Sequence, residues 1–362
     1  MSSHPLRPLR RYRPRVQTAV KAERLAAQLL SGAPAIDPIA VAERLLAVQS
    51  QDLQGARLAI RARTSGLSAA DVDRALTHDR SILITWLNRG TLHLVRTEDY
   101  AWLHALTTPQ LVTGNARRLA QEGVSPDAAD RGVAMIERSL AKEGPLSRHQ
   151  LRDRIAAADV PTKGQALVHI LMLSCLRGIA VRGPIVGSDH AYVLVRDWLG
   201  KPLQVNRLSA LAELARRYLA GHGPADDRDL AKWAGVPLRD ARAGLRAIAA
   251  ELQEHAGGLF GLPGRAIPPD LPAARLLGQY DPLLLGCVSR APILGAHASL
   301  VTVNGLFRPF ALVRGRAVAT WSISDGRVAI APFAPLKRAD ALALEADAAD
   351  VTRFLTPPRQ QI

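Results

Sequence analysis

At 362 residues and 38.9 kDa the chain exceeds what one hydrophobic core ordinarily serves, so two or more domains are expected. Cys175 and Cys287, its only cysteines, exclude a disulfide framework and a cysteine-rich zinc or iron–sulfur site, and no apolar run is long enough to span a bilayer. The net charge of +15 favours a polyanionic partner, since each phosphate neutralised by Arg or Lys releases counterions, although an arginine-rich proteome gives the same figure.

The basic, Pro-rich stretch Met1–Arg15 lacks the apolar run of a secretory signal, so a cytoplasmic protein is expected. Apolar residues from Thr18 to Leu30 recur at helical spacing and stop at Ser31-Gly32-Ala33-Pro34. Pro38 opens a second helix running toward Val48, followed directly by Gln49-Ser50-Gln51-Asp52. Leu58 and Ile60, interleaved with arginines, predict a short strand up to Arg63. Ser68 caps a third helix to Thr77, and Ile82–Leu87 and Thr91–Val95 form a hairpin across Asn88-Arg89-Gly90. Three helices and a hairpin, in that order, predict a winged helix-turn-helix.

The pattern repeats. Gly144-Pro145 before Leu151 and Gly223-Pro224 before Leu230 stand 79 residues apart, each after an amphipathic helix (Val133–Lys142 and Leu208–Ala220). Ile179–Arg182 with Ala191–Val195 predict the second unit's hairpin. Beyond Arg275 the chain turns to short strands: Leu300–Val303, Phe310–Val313, Ala317–Trp321 and Val328–Ile330. A helix over Ala339–Leu355 closes the chain. The expected fold is mainly α with α+β units: winged units at 18–110, 128–200 and 205–265, an antiparallel β unit at 275–336, and a tail at 337–362.

Five segments in this order resemble one family. They are Val48–Asp52, Trp86–Val95, Gly223-Pro224 with Asp229–Gly235, Asp281-Pro282 with Leu284-Leu285-Gly286, and Asn304–Pro309. Together they are similar to the AlkZ/YcaQ-type bacterial DNA glycosylases. The resemblance implies three tandem winged helices in a C-shaped clamp with a β-barrel-like C-terminal unit. It further implies excision of alkylated bases, above all guanines modified at N7, including bulky adducts and interstrand crosslinks, in repair or in self-resistance to DNA-alkylating agents. The partner is then double-stranded DNA carrying alkylated bases, and such a clamp needs no second subunit. Gln49 and Gln51 match the family's Gln-Φ-Gln signature, with Ser50 in place of its usual small apolar residue.

A glutamine amide does not titrate and cannot act as an ordinary general base. N7-alkylated guanine needs no acid, because it is already cationic and departs neutral. What remains is to hold a water near C1′ and to favour a sugar with oxocarbenium character, which two amides aimed at one point can do. On a helix, residues i and i+2 point about 200° apart, so Gln49 and Gln51 converge only if the second helix ends near Val48. No metal or cofactor is expected. Asp52 either supports a glutamine amide or caps the loop. His93 either approaches the substrate or, as favoured here, serves a structural hydrogen bond. Arg89 at the hairpin turn, with Arg57 and Arg61, are the candidate DNA contacts. The competing reading is a winged-helix regulator that binds DNA without catalysis.

Overall fold

The computed structural model describes residues 14–187, 189–200, 204–268 and 273–356. α1 (Pro14–Ala27) leads into α2 (Pro38–Leu45), whose cap Asp37 accepts from Ala40 N. β1 (Val48–Gln49), α3 (Leu53–Arg61), α4 (Ala69–Thr77), β2 (Ile82–Leu87) and β3 (Thr91–Arg96) complete the first unit. The strand expected over Leu58–Arg63 is instead the second half of α3. Asp52 starts that helix by accepting from Gly55 N, and Ala56, Ala59 and Ile60 bury its apolar side. The interleaved Arg57 and Arg61 imitated a period of two because both are packed against acids rather than solvated.

α2 stops for a tertiary reason. α11 (Arg207–His222) crosses it so closely that a Cβ on Gly221 would lie 2.2 Å from Arg44 O. The Leu45 carbonyl accepts from Ala47 N and from His222 Nε2, and Leu46 turns to φ 64°. The imidazole is itself held, since its Nδ1 accepts from Gln28 Nε2 (2.6 Å) and Gln28 Oε1 accepts from Arg63.

α5 (Tyr100–Thr107) and α6 (Pro109–Gln121) connect to the second unit: α7 (Pro126–Glu143), α8 (Arg148–Ala156), α9 (Ala166–Leu176), β4 (Ala180–Val186) and β5 (Asp189–Leu194). α10 (Val195–Trp198) precedes the third, made of α11, α12 (Asp227–Ala234), α13 (Leu238–Ala247), β6 (Gln253–His255) and β7 (Leu259–Gly261). The wings of units one and two fuse into one sheet of order β1-β3-β2-β4-β5, joined at Ile84 and Arg182. One apolar core runs beneath it from Val41 to Leu194.

The three units share a device. A residue after the first helix pairs with the last strand of the wing: Val48 with Leu94, Leu146 with Tyr192, and Ala225 with Phe260. Leu146 is followed directly by Ser147, the α8 cap, and Ala225 by Asp226, the α12 cap. In the first unit Gln49, Ser50 and Gln51 stand between Val48 and the α3 cap Asp52. The glutamine string is therefore an insertion into a turn that the other two units make without it.

β8 (Arg275–Leu277), α14 (Pro282–Leu285), α15 (Ala291–Leu294), β9 (Phe310–Val313), β10 (Arg316–Ser324), β11 (Arg327–Pro332) and α16 (Arg338–Leu355) form the last unit, with sheet order β11-β10-β9-β8. Leu300–Val303 is not a strand. It is a 3-10 turn and a single bridge, Val301 to Phe307, around a tight loop at Asn304-Gly305. Asp281 caps α14 and forms a fully buried ion pair with Arg63 at 2.9 Å, tying this unit to the end of α3.

Candidate active site

The site grows from the inserted turn. Gln49 pairs with His93 across β1 and β3, and Ser50 N donates to Leu92 O at 2.7 Å, so the backbone is extended where the side chains must converge. They do converge: Gln49 Nε2 donates to Gln51 Oε1 at 2.5 Å. Gln49 is 5% exposed, whereas Gln51 faces solvent. One amide is thus anchored and the other is accessible to a substrate. The Ser50 hydroxyl donates to Val48 O at 2.9 Å, which satisfies it within its own turn and lets a polar residue occupy this buried position.

The neighbours depart from expectation. Arg89 does not reach outward from the hairpin; it turns inward, donating from Nη2 to Gln49 Oε1 (3.0 Å) and from Nη1 to the carbonyl of Trp233 near the end of α12. Burial, and then the nearby Arg290 guanidinium, push its pKa down to about 10. Arg61 is buried between Leu276 O, Asp347 and Asp350, locking α16 onto α3, and is unavailable to a phosphate. Arg57 joins α3 to α4 through Asp73 at 2.6 Å, so its charge is already matched. Arginines read as DNA contacts are here cross-links between elements, because a guanidinium offers five donors and can join several partners at once.

Asp52 serves the backbone as the α3 cap (Gly55 N, 2.9 Å). His93 is 2% exposed and hydrogen-bonds through Nδ1 to Thr91 O at 2.9 Å. A carbonyl only accepts, so Nδ1 carries the proton. Burial, with Arg89 adding to it, lowers the His93 pKa to about 3 and keeps the ring neutral. Among the described residues no group of three or more His, Cys, Asp or Glu could hold a metal ion, and no helix is long and apolar enough to cross a membrane.

Sequence reasoning expected a short helix after Gly223-Pro224, here α12, but did not place its end at the site. Gly235, at φ 68°, ends this helix against the hairpin tip, where a Cβ would lie 2.7 Å from Asn88 O. A glycine just after an amphipathic run, within the family-like segment Asp229–Gly235, is the signal that pointed there. Three of the five family-like segments, those holding Gln49, Arg89 and Trp233, thus meet at one place.

A family model described as "DNA glycosylase AlkZ-like" matches residues 42–354. The interstrand DNA cross-link repair glycosylase of Streptomyces sahachiroi is 28% identical over 345 residues, covering 86% of this chain and 89% of that protein. The solved structure of the Streptomyces sahachiroi DNA glycosylase AlkZ superposes with a TM-score of 0.76 at 26% identity, covering 93% of this chain and 96% of that one. The chain belongs to the AlkZ-like DNA glycosylase family, and it is an enzyme of that class.

Proposed function

We propose that this enzyme is a monofunctional glycosylase that releases guanines alkylated at N7, monoadducts and interstrand crosslinks alike, from double-stranded DNA by water attack at C1′. The observation that carries this reading is the Gln49–Gln51 amide contact of 2.5 Å in extended backbone at the surface of the first wing. Amide oxygens there can hold the attacking water and favour positive charge developing on the sugar, and neither amide has to change protonation state. A leaving group that is already cationic fits a site whose nearest histidine is neutral and supplies no acid. Water rather than an enzyme amine is the nucleophile in this reading, because the side chain hydrogen-bonded to the pair is a guanidinium and not an amine. A net charge of +15 suits a duplex partner. Crosslink repair is the printed activity of the Streptomyces relative and is extended here to this chain.

The test uses a duplex with a single N7-methylguanine and a second duplex crosslinked through two N7 positions. Abasic sites are read by alkaline cleavage. Gln49→Ala and Gln51→Ala should each slow release by about 10²–10³-fold with DNA affinity preserved. Borohydride should trap no covalent adduct. Equal release by wild type and both variants, or efficient trapping, would overturn the proposal.

A further inference from the structure

We propose that Arg89 is the positioning residue of this site: it fixes which way the Gln49 amide faces and braces it against the third winged unit. This inference rests on the amide pair being the reactive element.

An amide has a donating and an accepting end, and packing alone distinguishes them poorly. A guanidinium has no acceptor, so the Gln49 atom facing Arg89 Nη2 at 3.0 Å must be oxygen. The amino end then faces Gln51, and the Gln51 atom that meets it must be its own carbonyl oxygen, as observed at 2.5 Å. One cation thereby sets the orientation of both amides. It also polarises the run of hydrogen bonds, since a charged donor on Gln49 Oε1 strengthens the N–H that Gln49 offers onward.

Arg89 needs an anchor, because a long side chain on a hairpin tip would otherwise sample many rotamers. Trp233 O supplies it from the last turn of α12, the end whose carbonyls carry partial negative charge and favour a cation. The hairpin and the helix end can approach this closely because Gly235 has no Cβ. Loop 286–290 holds the same helix one turn earlier, through Val288 N to Asp229 at 2.7 Å. The third unit is therefore a brace for the catalytic turn. His93, neutral and paired with Gln49 across the strands, the buried neutral His222 and the Arg290 cation are the titratable groups that interact with Arg89.

The experiment compares wild type, Arg89→Met and Arg89→Lys on the N7-methylguanine duplex with enzyme in excess. Both variants should lose about 100-fold in the single-turnover rate, the cost typical of a misplaced reacting group. They should melt near wild type and keep its salt dependence of DNA binding. Lysine preserves the charge but cannot span two acceptors, so it should not rescue. In a Gln49→Ala background, Arg89→Met should cause no further loss. Additive losses, rescue by lysine, or a salt slope lower by about one unit would make Arg89 a phosphate contact and overturn the proposal. If Gln49→Ala leaves release unchanged, it is the amide reading that fails. The Gln49 side-chain amide resonance, shifted and slowly exchanging in wild type and averaged in Arg89→Met, then decides the positioning role independently of catalysis.

Discussion

Gly235→Ala should cripple excision without touching substrate. The residue sits at φ 68°, where an alanine costs about 1 kcal/mol in backbone strain alone. Its Cβ would lie 2.7 Å from Asn88 O, 2.8 Å from Asn88 C and 3.0 Å from Arg89 N, all backbone atoms that no rotamer change can clear. Restoring an ordinary contact moves the hairpin tip by roughly 0.7 Å in a close-packed interior. Such a shift takes the 3.0 Å Arg89–Gln49 bond out of hydrogen-bond range. The expected result is about a 100-fold fall in the single-turnover rate, with DNA affinity unchanged. Stability should drop by about 1–3 kcal/mol, a melting shift of only a few degrees for a chain of this size. Gly326→Ala is the control, because its φ of 72° imposes the same strain while nothing lies within 4 Å of the added carbon. If Gly235→Ala excises within threefold of wild type while Gly326→Ala melts alike, the brace from α12 to Gln49 does not exist.

At saturating enzyme, the excision rate should stay flat from about pH 5 to about pH 9, because the amides do not titrate and their neighbours His93 and Arg89 change charge near 3 and 10. A tenfold slope per unit anywhere in that window would reveal a general base and refute the mechanism. Stability should behave differently. His93 and His222 are both lowered by burial to about 3, so below about 6.5 the unfolded chain takes up protons that the folded chain refuses. Each then removes about 1.4 kcal/mol per pH unit as pH falls from 6.5 toward 3, which urea titrations at about pH 7 and about pH 5 would register. Asp281→Asn leaves the fully buried Arg63 guanidinium without its carboxylate and should cost about 3–5 kcal/mol in the same assay. A loss under about 1 kcal/mol would mean the pair is not sealed from water.

Much of this protein was legible in its sequence because the relevant signals are local. Winged units follow from helical periodicity closed by turn residues: Asn88, Gly90, Gly315, Asp325 and Gly326 all adopt the positive φ that those types tolerate. The 79-residue spacing also located real equivalents, for Leu146 and Ala225 occupy matching bridges in units two and three. The glutamine string could be singled out as a motif because it stands in order with four other segments that resemble one family. Chemistry written in residue type survives without coordinates.

Tertiary structure decided where each charge went and where each helix stopped. Arg57, Arg61 and Arg89 look alike in sequence, yet each found an acceptor on a distant segment: Asp73, Asp347 and the Trp233 carbonyl. Nothing near them in the chain announces those partners. Likewise α2 ends at Leu45 because α11 and His222 press on it, and that ending turns Gln49 and Gln51 toward each other. Residue type set what the site can do, whereas the packing of segments far apart in the chain set which atoms face one another, because hydrogen-bond direction and close approach are properties of space and not of sequence distance.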